Sequence, residues 1–374
     1  EPTSALDSVT RAWVLRAILD YCDASGAALL VVTHHTLEAQ MLAQRFLQVR
    51  QGVVIRTNDD YWEDELISEY HEPGATPLGG CTGIIPVDVP PTVFEVEGLG
   101  VERGRDYQAR EDRPAFALEE IGLTLRRGES IGLIGETGSG KTTLVTALAG
   151  LIEVETGRIR LGGKELDRWR GKALRRMRRH WQAGFQDASQ ALNPHFTVEQ
   201  ILVEPARLHD YPKPSRVAMK ELLDEICLPG SCLGRTAGEL SFGQKQRLAL
   251  ARSIWGFPEL EVLLLDEPLT GLDADAREIM IAFLLKAKAH LGLLIASHDL
   301  GVIDRICDEV LVLQGGRIVD SVSSKQHEFV TDYAKGLWAT AAIRDPVDLR
   351  RAVSMMDRDN TAFGDVGHQY SNHL

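Results

Sequence analysis

The eight residues Gly135-Glu136-Thr137-Gly138-Ser139-Gly140-Lys141-Thr142 decide the fold, because they fit the phosphate-loop pattern G-x-x-x-x-G-K-[ST]. An apolar run at residues 131–134 precedes them, so the sequence predicts a strand, the loop, and a helix from about residue 140 to 151. Glycines at 135, 138 and 140 let backbone N–H groups approach a polyphosphate where a Cβ would block it. In such a loop Lys141 would reach the terminal phosphates, and the Thr142 hydroxyl would ligate Mg²⁺.

Two adjacent carboxylates, Asp266 and Glu267, end a second apolar run at residues 262–265. Carboxylates at the end of a buried strand are costly unless they meet a cation or a water. We expect Asp266 to hold Mg²⁺ through a water and Glu267 to polarise the water that attacks the nucleotide. An isolated acidic pair at a strand end is as often structural as functional, but the presence of a phosphate loop favours the functional interpretation.

Part of this pattern occurs twice in the chain. The first copy holds Glu1-Pro-Thr-Ser-Ala-Leu-Asp7 and Thr33-His34, and the second holds Glu267-Pro-Leu-Thr-Gly-Leu-Asp273 and Ser297-His298. Glu267 follows Glu1 by 266 positions, and His298 follows His34 by 264. A repeat at this spacing indicates a duplicated domain rather than a solenoid unit. Because only the second copy has a phosphate loop, we expect two fused nucleotide-binding domains, the first truncated before its catalytic glutamate.

The composition divides the chain into four segments. Residues 1–58 predict the C-terminal half of the first domain, with a helix over 8–25, a buried strand over 28–32 and a strand-turn-strand over 45–55. Residues 59–92 are acidic and then rich in Pro and Gly, which is typical of a linker. Residues 93–325 predict a complete α/β domain with a more helical section over 174–255, and residues 326–374 form a C-terminal extension.

Charge and composition argue against several classes of function. The formal net charge of −13 argues against nucleic-acid binding, so we interpret the basic run at residues 164–179 as a solvated helix face. The five cysteines lack metal-ligand spacing, and their odd number indicates a reducing cytosol. No apolar run reaches 18 residues, so any membrane attachment is expected to come through a partner.

A second set of motifs carries a family resemblance. Leu240-Ser-Phe-Gly-Gln244 and Leu265-Asp-Glu-Pro268 resemble the signature motif and the Walker B block of ABC-type ATPases. With Gln186, Asp273 and His298, the match covers nearly all of residues 93–325, and residues 1–58 resemble the closing half of the same domain. The resemblance implies a P-loop NTPase cassette: a RecA-like mixed sheet core, N-terminal antiparallel strands and a helical subdomain, preceded by the C-terminal half of a second cassette.

The resemblance also implies a role for individual residues. Gln186 would sense Mg²⁺ and the attacking water, and His298 would contact the γ-phosphate. Ser241, Gly243 and Gln244 would face the nucleotide held by the opposite cassette. Tyr107 is our first choice for stacking on adenine and Phe116 the second. The remaining nucleotide contacts would come from the phosphate loop, the residue after it and the D-loop: Gly135, Glu136, Thr137, Gly138, Ser139, Gly140, Lys141, Thr142, Thr143 and Asp273.

Two departures from the family pattern stand out. Phe242 occupies the place of the first signature glycine, where we expect less backbone freedom and more bulk beside a bound phosphate. In the first copy His34-His35 replaces the usual His-Asp pair, and His34 is the residue aligned with His298.

Weaker similarities indicate a subfamily. The stretch Ala191-Leu-Asn-Pro194 to Glu204-Pro205 and the tail after His327 resemble the ATPases of peptide and nickel importers. This implies an ATP- and Mg²⁺-dependent subunit at the cytoplasmic face of the membrane. Its partners would be a separate permease, a second cassette and, indirectly, a solute-binding protein. Peptide, nickel and metal-chelate import stay equally open.

Two other functions compete with this one. A soluble tandem ABC ATPase could act in translation or DNA repair, but the linker is not a charged helical one and no zinc cysteines are inserted. A fragment with a mainly structural role is the third interpretation, because the first copy lacks a phosphate loop in this chain.

Overall fold

The computed structural model describes residues 8–33, 42–43, 47–50, 53–56, 92–102, 116–166, 174, 176–186, 191–209, 211–255, 257–326 and 328–342. The chain divides into two compact units. In the described part, the first unit holds the residues up to 56 together with Ala342, and the second runs from residue 92 to 341. The predicted linker, apart from residue 92, lies outside the described residues.

The first unit contains one helix and one hairpin. Helix α1 spans Ser8–Ser25, as the amphipathic pattern predicts, and Leu15 on it is buried. Strands β1 (Leu47–Arg50) and β2 (Val53–Arg56) pair antiparallel, with Leu47 opposite Arg56, which confirms the predicted strand-turn-strand.

The predicted buried strand at residues 28–32 is wrong. This segment has no regular secondary structure, and Leu30 is 88% exposed. A buried strand needs hydrogen-bonded neighbours, and the two strands described in this unit pair with each other. The corresponding run in the second unit, residues 293–296, has a neighbour on both edges and is fully buried. Both segments are apolar runs, but only the second lies between hydrogen-bonded strands in the described part of the chain. Only the second is therefore a buried strand.

The second unit alternates strands and helices. Its strands are β3 (Thr92–Glu102), β4 (Phe116–Arg126), β5 (Ser130–Ile134), β6 (Thr156–Leu161), β7 (Lys164–Glu165), β8 (Trp181–Gly184), β9 (Val262–Asp266), β10 (Gly292–Ala296), β11 (Glu309–Gln314) and β12 (Arg317–Ser323). Its helices are α2 (Lys141–Leu148), α3 (Val198–Leu208), α4 (Arg216–Glu225), α5 (Phe242–Ile254), α6 (Ala274–Lys288), α7 (Leu300–Ile306) and α8 (Asp332–Ala342). Short 3₁₀ turns occupy Gly230–Gly234 and Ala237–Glu239.

A six-stranded mixed sheet forms the centre of this unit, in the order β12-β11-β5-β10-β9-β8. All neighbours are parallel except β11 and β12. Every residue of β5, β9 and β10 is buried, which is why their sequences are continuous apolar runs. Their carboxyl ends meet at one edge, where Ala296 lies beside Asp266 and Leu133. That edge is where ligands bind in sheets of this kind.

An antiparallel sheet in the order β4-β3-β6-β7 lies beside the mixed sheet. Phe94 and Leu118 from the antiparallel sheet share one buried cluster with Leu133 of β5 and Leu144 of α2. This core therefore anchors the strand that precedes the phosphate loop and the helix that follows it.

The helical section predicted over residues 174–255 is present as helices α3 to α5. Each of these helices has a side-chain N-cap, from Thr197, Ser215 and Ser241 respectively. Across the part of the chain that the structure describes, helices of the length and apolarity needed to cross a membrane do not occur.

Candidate active site

The phosphate loop connects buried strand β5 to helix α2. Gly140 is the N-cap of α2 with φ 110°, and Gly135 has φ 153°. A Cβ at Gly135 would lie 2.2 Å from the Leu313 carbonyl oxygen, and one at Gly140 would lie 2.9 Å from Leu118 Cδ2. Both positions therefore require glycine for space as well as for conformation. The helix ends at Leu148, three residues earlier than predicted.

The loop closes around the side chain of Lys141. Its ammonium donates to the carbonyl oxygens of Gly135 at 2.6 Å and Glu136 at 2.9 Å. The Ser139 backbone N–H also donates to the Glu136 carbonyl, at 3.1 Å. The loop thus holds the positive charge of the Lys141 ammonium at its centre.

The loop residues fit a polyphosphate. The Ser139 hydroxyl is buried without a hydrogen-bond partner in the described residues, which is costly unless a ligand supplies one. Gly138 has φ 84°, and a Cβ there would meet nothing within 4 Å. An unpartnered donor, an ammonium and a helix N-terminus converge here, and all three favour an anion.

Asp266 ends strand β9 and is 2% exposed. Burial raises the pKa of this carboxyl above its ordinary value; a hydrogen bond from the Thr142 hydroxyl opposes that rise, while the neighbouring Glu267 adds to it. A nearby cation would stabilise the ionised form of such a buried carboxylate. A hydroxyl and a carboxylate are hard oxygen ligands of the kind that Mg²⁺ prefers, so Thr142 and Asp266 fit the metal predicted between them.

Glu267 stands in a left-handed conformation with φ 50° and is 7% exposed. One carboxylate oxygen accepts from the His298 backbone N–H at 2.8 Å and lies 2.7 Å from His298 Nδ1. Burial would raise the pKa of Glu267, but the hydrogen bonds and charge of His298 outweigh burial and lower it. Glu267 is therefore ionised near neutral pH, as a proton acceptor must be.

Two partners of Glu267 were missed by sequence reasoning. The hydroxyls of Ser297 and Thr270 each donate to its second oxygen at 3.2 Å. Ser297 Oγ also accepts from the Asp299 backbone N–H at 3.0 Å, and Asp299 pairs with Arg277. The signal that could have found them was sequence position, since Ser297 directly precedes His298 and Thr270 follows the Walker B block by two residues. Together they fix the orientation of the Glu267 carboxylate.

Gln186 lies near the same edge of the sheet. It follows β8 by two residues, and Gly184 of β8 pairs with Leu265 of β9. Because parallel strands advance together, Gln186 is level with Glu267, and it is exposed. Its sensing role stays a prediction.

The signature residues begin helix α5. Ser241 is the N-cap and forms a capping box with Gln244. Phe242 is half exposed and lies in the first turn of the helix. A helical backbone does not need the conformational freedom of glycine, so the expected loss of that freedom has no cost here. The Phe242 ring covers Gly271, where a Cβ would lie 2.6 Å from Phe242 Cε1. The added bulk therefore packs on the D-loop of the same chain, whose Asp273 caps helix α6.

Several predicted residues fall outside the described part of the chain. Tyr107, Glu1, Asp7 and His34 all do, so the choice of adenine-stacking residue and the first-copy residues stay predictions. Phe116 is the first residue of β4. Thr143 lies in the first turn of α2.

Comparison with known proteins adds three findings. A family model described as ABC transporter matches residues 118–270. The peptidoglycan transport ATP-binding protein YejF of Agrobacterium fabrum is 29% identical over 360 residues, which are 91% of this chain and 64% of that protein. A protein of Brucella ovis named "Putative peptide import ATP-binding protein" is 36% identical over 237 residues, which are 62% of this chain and 73% of that protein.

Solved structures agree on the fold. The ATP-binding cassette MJ0796, in a dimeric state bound to ADP and Pi, superposes with a TM-score of 0.54 at 20% identity. The match covers 62% of this chain and 98% of that one. The predicted cassette fold, with its mixed sheet, antiparallel strands and helical section, is confirmed.

Proposed function

This chain belongs to the ABC transporter family, and we propose that it is an ATP-binding and ATP-hydrolysing subunit that powers an importer. One observation carries the proposal: the carboxyl ends of β5, β9 and β10 bring Lys141, Thr142, Asp266, Glu267 and His298 to a single edge of the sheet. An ammonium, a hydroxyl and paired carboxylates at that edge match the needs of phosphoryl transfer to water.

The phosphate loop binds the polyphosphate in this proposal. An ammonium has three donors, so Lys141 would bind a phosphate oxygen, a strong charge-assisted acceptor, while it keeps its bonds to the Gly135 and Glu136 carbonyls. Ser139 and the N-terminal amides of α2 supply further donors. Thr142, Asp266 and Gln186 are the residues that would hold Mg²⁺, which when bound neutralises charge developing on the phosphates.

Glu267 accepts the proton of the attacking water. Its ionised state is maintained by His298, and Ser297 and Thr270 hold its second oxygen. His298, bonded to Glu267 through Nδ1, keeps Nε2 available for the terminal phosphate. This 2.7 Å contact joins the base directly to the residue that would sense the terminal phosphate.

A second cassette completes the site. Ser241, Gly243 and Gln244 would contact the nucleotide of an opposite cassette, and residues 1–58 would be the C-terminal half of a fused partner. The chain spans 64% of the length of the Agrobacterium fabrum relative and 73% of that of the Brucella ovis relative.

The transported solute is proposed to be of the peptide class. One relative is named for peptide import and another for peptidoglycan transport, and both names describe ATP-binding proteins. These names favour transport over a soluble role in translation or repair. The partners would then be permease subunits at the cytoplasmic face of the membrane and, through them, a solute-binding protein.

The proposal is tested by nucleotide binding and transport together. ATP should bind one per chain, and Lys141→Ala should abolish that binding because it removes the central cation of the loop. Unchanged affinity in Lys141→Ala would rule out this loop as the nucleotide site. ATP hydrolysis should be stimulated when the chain is reconstituted with the permease subunits encoded beside it. A chain that binds ATP but is stimulated by ribosomes or DNA instead would be a soluble ABC ATPase.

A further inference from the structure

We propose that Tyr333, on the C-terminal helix α8, is a positioning residue of the phosphate loop. The inference rests on the proposed function, because it concerns how the same loop holds a nucleotide. The backbone N–H of Glu136 donates to the Tyr333 hydroxyl at 3.3 Å, across 197 residues of sequence. The C-terminal segment therefore belongs to the nucleotide site, although it follows every recognised motif of the cassette.

Helix α8 is held firmly enough to act on the loop. Tyr333 is 2% exposed, and Ala334 and Leu337 on the same helix are buried with it. The ring of Phe329, just before the helix, contacts Trp338 with centroids 5.4 Å apart. The Tyr333 hydroxyl thus has a fixed position, because its ring is locked by packing.

A buried carboxylate ties the start of this helix to the central sheet. Asp320 on β12 accepts from the backbone N–H groups of Val330 and Thr331, both at 2.8 Å, and from the Thr331 hydroxyl at 3.1 Å. The Thr331 hydroxyl also accepts from the Ala334 backbone N–H at 3.2 Å. Strand β12 pairs with β11, which pairs with β5, the strand that runs into the loop. Helix α8 and the phosphate loop are therefore both attached to neighbouring strands of the central sheet.

The contact sets the orientation of one peptide plane. The Glu136 N–H and the Gly135 carbonyl belong to the same peptide bond, so in the trans form they point in opposite directions. Tyr333 holds the N–H, while the carbonyl accepts from Lys141 Nζ at 2.6 Å. Rotation of this plane would turn the carbonyl away from Lys141. Tyr333 thereby helps to preorganise the loop that surrounds the cation.

Removal of the hydroxyl should weaken nucleotide binding without slowing chemistry. Tyr333→Phe keeps the buried ring but removes one neutral hydrogen bond, which corresponds to a loss of affinity of about twofold to tenfold. Tyr333 contacts no reacting group in this arrangement, so kcat should not change. The affinity falls because the nucleotide must now order a looser loop.

The experiment uses the full chain in two parallel measurements. The first is equilibrium binding of ATP and ADP with Mg²⁺, together with steady-state KM and kcat. The second is amide hydrogen exchange of the peptide containing Glu136, measured without nucleotide. The matched control is Tyr211→Phe, which removes a hydroxyl from a ring that lies beside Arg179 rather than beside the loop.

We expect Tyr333→Phe to raise KM and Kd, to leave kcat unchanged and to speed exchange at Glu136, while Tyr211→Phe leaves all of these at wild-type values. Unchanged exchange and unchanged Kd in folded Tyr333→Phe would overturn the inference, even if its melting temperature fell. If the wild-type chain bound no ATP, the proposed function would fail, and the exchange measurement alone would still decide whether Tyr333 orders the loop. Should Tyr333→Phe not fold, Thr331→Val loosens the start of helix α8 and should produce a smaller change in the same direction. Wild-type values in folded Thr331→Val would then count against the inference.

Discussion

Glu267→Gln should nearly abolish ATP turnover while leaving nucleotide binding intact. The amide has almost the same shape as the carboxylate, so His298, Ser297 and Thr270 keep a partner in the same place. It cannot accept a proton, however, and general base catalysis contributes roughly 10²- to 10⁴-fold to rates. At about 1.4 kcal/mol for each factor of ten, the barrier should rise by about 3–5 kcal/mol.

The change should also alter stability, and that effect is measured separately from the kinetic one. The amide oxygen can still accept from the His298 backbone N–H, where a charged hydrogen bond exceeds a neutral one by about 1 kcal/mol, while the NH₂ group donates to the Ser297 and Thr270 hydroxyls instead of accepting from them. For a unit of this size, each kcal/mol lowers the melting temperature by about 2–4 °C. A folded enzyme with wild-type ATP affinity and very slow single-turnover hydrolysis is the expected result.

The chain offers a matched control for this substitution. Glu261, at the opposite end of the same strand region, also pairs with a histidine, since its carboxylate lies 3.0 Å from His180 Nδ1. Glu261→Gln should leave single-turnover hydrolysis unchanged. Near-normal hydrolysis in Glu267→Gln, or an equal loss in Glu261→Gln, would refute the assignment of Glu267 as the base.

Two further predictions concern assembly and stability. Because the site is proposed to need a second cassette, the hydrolysis rate per chain should rise with protein concentration as chains pair head to tail; a fast rate independent of concentration would show that one chain suffices. Asp320→Asn should lower the free energy of unfolding by about 1–3 kcal/mol, since the buried carboxylate oxygen that accepts from three donors loses its charge. Thermal denaturation measures this loss, and the exposed Asp332→Asn serves as the control.

Local patterns predicted much of the cassette. The strand before the loop, the helix after it, the apolar strand ending in Asp266 and the helical middle section all appear where the sequence placed them. These features depend on glycine conformation and on continuous apolar runs, both of which are visible in a short window of residues. The same reasoning failed at residues 28–32, because an apolar run forms a buried strand only beside a hydrogen-bonded neighbour, and among the described residues no strand pairs with this run.

The sequence by itself determined the chemistry that this protein can perform, since the phosphate loop and the acidic pair are encoded by residue type and spacing over a few positions. Only the tertiary structure decided how those groups are held. It placed Glu267 in a left-handed conformation among His298, Ser297 and Thr270, and it brought Tyr333 to the phosphate loop from 197 residues away. The physical reason is that a hydrogen bond forms between atoms that are close in space, and sheet pairing rather than chain distance decides which atoms those are.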